Sequence, residues 1–150
     1  MDSDWLKLNP PMNLPAPRDT LFGCMWLPRI RAKAQQYKTG KLPEIYARPF
    51  CIPPAVDGQF LAHFQLDKDA ILDACDLPDA DFEAWFRALP NNSDAHIAKW
   101  NEIAVNLGRP GYPMAERLPW AISEYYQHIA HLNPQTVFAT LEADEGIAHS

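Results

Sequence analysis

The stretch LPRIRAKAQQYKTG, residues 27–40, decides how the chain is interpreted. Its apolar residues recur at spacings of three and four: Leu27, Ile30, Ala34 and Tyr37. That spacing places them along one side of an α-helix. Proline is tolerated in a first helical turn, and a glycine after the last periodic residue provides a left-handed end. The stretch therefore predicts a helix that begins near Pro28 and stops at Gly40.

The same period recurs along the rest of the chain. Prolines separate the periodic segments, and Asp67 and Ser93 stand where helices take their N-caps. The other helical faces are Phe60, Leu61 and Phe64; Ile71, Leu72 and Cys75; Phe82, Trp85, Phe86 and Leu89; Ile97, Trp100, Ala104 and Leu107; and Ile122, Tyr125, Ile129 and Leu132. A last helix runs from Gln135 to about Ala143. Strand alternation never extends beyond three or four residues, so we predict an all-α fold of about six to seven short helices.

Two proline-rich segments lack this period. Residues 1–19 contain four prolines and predict an extended N-terminal arm, which leaves residues 20–150 as a single compact domain. The segment from Leu42 to Gly58 also contains four prolines. We predict a long ordered loop there, with a short extended stretch around Ile45 and Tyr46, because proline disrupts a regular helix. Long loops in compact domains are often functional.

Length and composition limit the classes of protein to consider. The 150 residues, 47% hydrophobic and 21% charged, suffice for one globular domain with a full core. No apolar run approaches the roughly 20 residues that span a bilayer, and the N-terminus lacks the plan of a signal peptide. We therefore expect a cytoplasmic protein with no membrane partner. Three cysteines without a C-x-x-C spacing argue against a disulfide framework and a zinc site.

Charge is unevenly distributed along the chain. Residues 29–41 hold five Lys or Arg and no acid, whereas residues 67–83 hold seven Asp or Glu and one Lys. The net charge of −6 opposes nucleic-acid binding, which requires a dominant basic stripe. Two solvated faces of opposite sign, lying against each other or facing water, account for the pattern.

The first half of the chain also carries a family pattern. It reads Leu21-Phe22-Gly23-Cys24-Met25-Trp26-Leu27-Pro28-Arg29, then Lys33-Ala34, then Gly40-x-Leu42-x-Glu44-x-Tyr46, then Asp57-x-x-Phe60-Leu61-x-x-Phe64. These motifs resemble domain-of-unknown-function family 5069, a group of bacterial proteins. The resemblance implies a small helical domain without an assigned activity. The chain departs from the family at Phe22, Ala32 and Gln35 and has a longer loop from Pro49 to Asp57.

Several residues of this half form a candidate site. Arg29 and Lys33 are one helical turn apart, and Glu44 and Tyr46 follow in the next loop. Arginine offers a planar fork to a carboxylate or phosphate, lysine offers a mobile charge, and a tyrosine hydroxyl can donate to the same anion. An Arg29–Glu44 ion pair that ties the loop to the helix is the structural alternative. We place Trp26 at the rim of this pocket.

Two further groups of residues suggest chemistry less strongly. Glu124, His128 and His131 share one stripe of a predicted helix, but the stripe faces away from the core and lacks a fourth ligand, so no metal is expected. Cys51, Asp57 and His63 suggest a thiolate–imidazole arrangement, although a cysteine between Phe50 and Ile52 is more often a small core residue. Most of the other aromatic side chains, Trp120 among them, are expected in the core.

We therefore expect a small-molecule site, for an anionic metabolite and without a cofactor. Trp26, Arg29 and Lys33 bind the ligand in this hypothesis; if a reaction occurs, Glu44 or Asp57 is the general base and Tyr46 the proton donor. The alternative is a protein-interaction domain that docks through charged surfaces of opposite sign. The sequence contains no indication of the ligand's identity, the reaction or the oligomeric state.

Overall fold

The computed structural model describes residues 13–53 and 55–146, and within them it confirms the all-α prediction. A short hairpin is formed by β1 (Thr20–Leu21) and β2 (Cys24–Met25). The α-helices are α1 (Leu27–Lys38), α2 (Glu44–Ala47), α3 (Val56–Phe64), α4 (Lys68–Ala74), α5 (Asp79–Arg87), α6 (Asp94–Asn106), α7 (Arg117–Tyr125) and α8 (Val137–Asp144). A 3-10 helix (Gln127–Leu132) lies between α7 and α8. None of these helices is long and apolar enough to cross a membrane.

The predicted helix starts and core faces are present. The side chains of Asp67 and Ser93 accept hydrogen bonds from the backbone amides of Ala70 and His96, which caps α4 and α6. On α1, the apolar stripe that begins at Leu27 turns inward. It joins a hydrophobic core that includes Phe60, Phe64, Phe86 and Trp100. Helical spacing and cap residues therefore predicted these elements correctly.

The hairpin positions the start of α1. Its turn residues Phe22 and Gly23 have φ of 55° and 77°, the left-handed conformation that two-residue hairpin turns require. The Asn101 side chain on α6 accepts from the Met25 amide and donates to the Gly23 carbonyl, both at 2.9 Å. The Trp100 indole donates to the Met25 carbonyl at 2.9 Å. These bonds hold the hairpin, and with it the first turn of α1, against α6.

The segment predicted as a loop from 42 to 58 contains helical structure, so that prediction was wrong in part. Pro43 is the N-cap of α2, where a proline costs nothing because it needs no intrahelical donor. Ile52 and Pro53 then pack against the first turn of α3. A Cβ on Gly58 would lie 2.5 Å from the Pro53 nitrogen, so only glycine permits this close approach.

The continuous helix predicted through Ile122, Tyr125, Ile129 and Leu132 is also wrong. The α-helix ends at Tyr125, and Tyr126 has φ −128° and ψ 29°, outside the helical region. The chain continues as the 3-10 helix, which packs against α8 and buries Ile129 while Leu132 stays exposed. The 3-10 helix packs against α8 although its apolar residues continue the α-helical spacing. This break and the short helix α2 are the reasons why the described residues contain more helices than the six or seven predicted.

The predicted N-terminal arm lies partly outside the described residues, which begin at 13. Residues 13–19 contain no helix or strand. Leu14 is buried, and Arg18 Nε donates to both carboxylate oxygens of Glu142 on α8 at 3.1 Å. The Pro15 carbonyl accepts from Arg29 at 3.0 Å. These contacts place residues 13–19 between α1 and α8.

Candidate functional site

A cavity of about 910 Å³ lies between α1, α2, residues 48–53, α7 and α8. Most of its wall is apolar, from residues such as Ile45, Val56, Met114, Leu118, Val137 and Leu141. We call five inner residues the cavity floor: Trp26, Arg29, Lys33, Tyr46 and Asp57. Among the exposed lining residues, we call these five the cavity rim: Glu44, Arg48, Ile52, Trp120 and Tyr125. A space of this size and polarity matches the sites in which proteins enclose small organic molecules.

Arg29 is fully buried at the floor and bound on both sides of its guanidinium. Its Nη1 and Nη2 donate to the two carboxylate oxygens of Glu145 at 2.8 and 2.6 Å. Burial lowers the pKa of Arg29, but the hydrogen bond to Glu145 and its charge outweigh burial and raise the pKa overall. The Nε atom is buried without a hydrogen-bond partner among the described residues. Arg29 is therefore a charged group with one buried donor still unused.

Lys33, one turn further along α1, forms the second ion pair of the floor. Its Nζ donates to the two oxygens of Asp57 at 3.2 and 3.4 Å, and Trp26 Nε1 donates to the same carboxylate at 2.8 Å. Burial lowers the pKa of Lys33, and the attraction of Asp57 does not restore it. Asp57 is held on three hydrogen bonds, so its position on α3 is fixed by two residues of the α1 region.

Aromatic rings enclose both cations. Lys33 Nζ lies 4.8 Å and Arg29 Cζ 5.1 Å from the Trp26 ring, and both lie 5.8 Å from the Tyr46 ring. Trp26 itself stacks on Phe138 of α8 with centroids 5.5 Å apart. Its φ of 72° is a strained conformation for a bulky residue, which surrounding contacts must maintain. Strain of this kind concentrates at binding and catalytic sites.

Two tyrosines supply neutral hydroxyls to the cavity. Burial, assisted by the negative charge of Glu145, raises the pKa of Tyr46 to about 12. Burial and the nearby Asp144 also raise the pKa of Tyr126, which lines the cavity from the junction of α7 and the 3-10 helix. Both hydroxyls keep their protons at neutral pH and can donate to an acceptor on a bound molecule.

The structure brings all six predicted site residues to one cavity, with two differences from expectation. Glu44 lines the rim, where its carboxylate accepts from Arg48 at 3.1 Å, so the structural alternative of an Arg29–Glu44 ion pair is wrong. Trp26 is buried at the floor instead of at the rim, because its indole reaches Asp57. The exposed aromatic residues of the rim are Trp120 and Tyr125, both of which the sequence placed in the core. Glu145 and Tyr126 were not predicted, because no local pattern connects them with α1.

The two weaker groups are not assembled. The break at Tyr126 separates Glu124 from the histidines, and His128 bonds to Asp144 of α8. The Asp57 carboxylate is bound by Trp26 and Lys33, whereas His63 Nε2 bonds to the His96 carbonyl at 2.8 Å. Burial raises the pKa of the Cys51 thiol to about 12, so the thiol is protonated. Within residues 13–53 and 55–146, no three His, Cys, Asp or Glu side chains converge as metal ligands would.

The chain belongs to the family described as domain of unknown function DUF5069. The sequence profile of that family matches residues 12–147, a range that includes each helix given above and both the floor and the rim of the cavity. No curated protein and no solved structure matches the chain. The family assignment agrees with the motifs of residues 21–64 and names no substrate or reaction.

Proposed function

We propose that this domain binds a small organic molecule with an apolar body and an acidic head in the cavity. The observation that carries the proposal is the floor itself, where Arg29 and Lys33 line a largely apolar cavity. Buried charges are costly to maintain, so a protein that places two cations beneath one cavity has a use for them beyond packing.

The hydrogen bonds at the floor favour a ligand that accepts hydrogen bonds. Both oxygens of Glu145 and both of Asp57 already receive donors. By contrast, Arg29 Nε has no partner among the described residues, and an ammonium such as Lys33 has a third hydrogen beyond its two bonds to Asp57. The hydrogen-bonding groups that remain unused at the floor are therefore N–H donors of cations, which suit a carboxylate or a similar acceptor group.

Acid–base chemistry on the bound molecule, if it occurs, would use floor residues. Asp57 lies beside Lys33, and the protonated Tyr46 hydroxyl is a donor, so the general base and the proton donor of the hypothesis line the same space. Glu44 fits the base role less well, because its side chain is exposed and bonded to Arg48 at the rim. No cofactor is part of this proposal.

The alternative, a protein-interaction domain with charged surfaces, has less support. The basic stretch on α1 meets the acidic stretch of α4 and α5: Arg31 pairs with Asp79 at 3.0 Å, and Lys38 pairs with Asp76 at 2.6 Å. The two stretches of opposite sign therefore partly neutralise each other within the fold. Four of the five cations of residues 29–41 have an ion-pair partner within the fold, so the basic stretch is poorly suited to steer an acidic partner.

The proposal is tested with a matched pair of fluorescent probes. Anilinonaphthalene sulfonate carries an acidic head on an aromatic body, and N-phenyl-1-naphthylamine is the same body without the sulfonate. We expect saturable binding of one sulfonate probe per folded chain, with clearly weaker binding of the neutral probe. Quenching of tryptophan fluorescence provides a second readout, since Trp26 and Trp120 line the cavity.

A pair of variants tests whether the probe enters the cavity. Ala121→Trp fills the cavity from α7 without touching either ion pair, and Ala84→Trp places the same bulk on an exposed position of α5 outside the lining. We expect Ala121→Trp to abolish probe binding and Ala84→Trp to preserve it, with circular dichroism confirming that both fold. Equal binding by the two variants, or equal affinity for the two probes in the native protein, would overturn the proposal.

A further inference from the structure

We propose that Lys33 forms an imine with the carbonyl carbon of a 2-oxo acid held in the cavity. This inference rests on the proposed function and specifies its ligand class. A 2-oxo acid joins a carboxylate, which suits the remaining cationic donors of the floor, to an adjacent carbonyl that a primary amine can attack. The apolar body of such an acid would occupy the space between α7 and α8.

The position of Lys33 sets it apart from the other lysines that the structure describes. Its side chain is 6% exposed and lines the cavity, whereas Lys38, Lys41 and Lys99 are exposed at the surface and the half-buried Lys68 lies outside the cavity lining. A lysine at the floor of a cavity, beneath Trp26 and beside Tyr46, is poorly placed to serve solubility. It is well placed to meet the carbonyl group of a molecule bound in the cavity.

The surroundings of Lys33 also favour the neutral amine that such an attack requires. Burial and the charge of Arg29, one turn earlier on α1, act against the ammonium form, and Asp57 acts in its favour. Removal from water and a neighbouring cation are the two means by which proteins activate a lysine amine for imine formation. The same Arg29 places a buried positive charge one helical turn from Lys33, which favours a substrate carboxylate held beside the amine.

Asp57 can accept the proton that Lys33 must lose and return it when water leaves. Lys33 transfers a proton to the Asp57 carboxylate, 3.2 Å away, and the neutral Nζ forms a bond to the carbonyl carbon while the carbonyl electron pair moves to oxygen. A proton passes from nitrogen to that oxygen to give a carbinolamine. Protonated Asp57 then donates to the hydroxyl, the carbon–oxygen bond breaks and water leaves. The iminium that remains is positively charged beside the restored carboxylate, and no oxidant or reductant is consumed.

The experiment traps the imine with phenylpyruvate and sodium cyanoborohydride, which reduces an imine to a stable secondary amine. Intact-mass measurement should show one adduct per chain, and peptide mapping should place it on Lys33. Lys33→Arg keeps a cation beside Asp57 but removes the primary amine, so it should give no adduct. Lys99→Met removes an exposed lysine outside the cavity and should label as the native protein does.

Phenyllactate separates failure of this inference from failure of the proposed function. It has the same body and carboxylate but a hydroxyl in place of the carbonyl, so it should compete with labelling without being trapped itself. If phenyllactate and the sulfonate probe compete for the cavity but cyanoborohydride traps nothing on Lys33, the imine is overturned while the binding function stands. Adducts spread over the surface lysines would also overturn it. Mapping of the native protein keeps the test valid even if Lys33→Arg fails to fold.

Discussion

The cavity floor and the cavity rim contain the same kinds of residue in opposite surroundings. Arg29 and Glu145 meet at the floor with their side chains 0% and 11% exposed, whereas Arg48 and Glu44 meet at the rim with theirs 72% and 63% exposed. An exposed ion pair contributes about 0–1 kcal/mol, because water and salt screen it. Removal of one partner from a buried pair destabilises the fold strongly, because the remaining charge is left unpaired and out of contact with water. Burial, and not residue type, therefore decides how strongly the loss of one partner lowers stability.

The first prediction removes the cation of the buried pair. Arg29→Met keeps most of the apolar stem but leaves Glu145 without its two hydrogen bonds, so we expect a loss of about 3–5 kcal/mol in the free energy of unfolding. Urea denaturation followed by circular dichroism measures it. The double variant Arg29→Met/Glu145→Leu should recover part of the loss, because it leaves no unpaired charge. A loss below about 1 kcal/mol in the single variant would contradict the contrast between floor and rim.

The second prediction concerns the backbone that connects the floor to the rim. Gly58 follows Asp57 on α3, and a methyl group there would collide with the backbone of Pro53, a lining residue. Gly58→Ala should therefore cost about 1–3 kcal/mol, the usual cost of overpacking, although alanine is the better helix former. Ala62→Gly, an exposed change in the same helix, is the control and should cost about 0.5–1 kcal/mol. Thermal and urea unfolding of the pair distinguish the collision from helix propensity.

Much of this architecture could be predicted from local sequence. The start of α1 at Leu27, the caps at Asp67 and Ser93 and the inward face of α6 follow from spacing within a few residues. Arg29 and Lys33 were placed on one face for the same reason. Local physics determines these features, so a single sequence suffices to predict them.

The partners of those residues could not be predicted in the same way. The structural alternative paired Arg29 with Glu44, which is close in sequence, yet the partner of Arg29 is Glu145, which follows α8 and lies 116 residues away. Nothing in the local pattern distinguishes Glu145 from the other acidic residues of the chain. Likewise, the period through Ile129 continues past Tyr126, where contact with α8 ends the α-helix. Which distant elements meet depends on the whole fold, and that information does not lie in a short window.

The third prediction tests a half-exposed contact outside the cavity. His63 and His96 stack with centroids 4.0 Å apart, and each Nε2 donates to the backbone carbonyl of the other residue at 2.8 Å. Burial lowers the pKa of His63, with the charges of His96 and Lys99 acting in the same direction, so its folded pKa lies below the ordinary 6.5. The unfolded chain then takes up a proton first as the pH falls, and stability should decrease below pH 6.5.

Urea unfolding between pH 5 and pH 7.5 measures this decrease, and an NMR titration of the histidine ring protons locates the folded pKa. His63→Gln can donate from its side-chain amide but does not titrate, so it should have a smaller pH dependence over the same range. The carboxylates that titrate near the bottom of the range contribute equally to both proteins. A pH dependence identical in the two proteins would show that this stacked pair does not carry the effect.

The smallest predicted effect belongs to the rim. Glu44→Gln removes the charge that meets Arg48 one turn away, and such exposed i, i+4 pairs are worth about 0.3–0.5 kcal/mol. We therefore expect the free energy of unfolding to change by no more than about 0.5 kcal/mol, and a double-mutant cycle with Arg48→Gln should give a coupling of the same size that vanishes in high salt. Binding of the sulfonate probe should be kept, because the floor is untouched. A loss as large as that of Arg29→Met would mean that Glu44 supports the floor after all. In that case the rim and the floor would act as one charged unit, and the division of the cavity by burial would have to be abandoned.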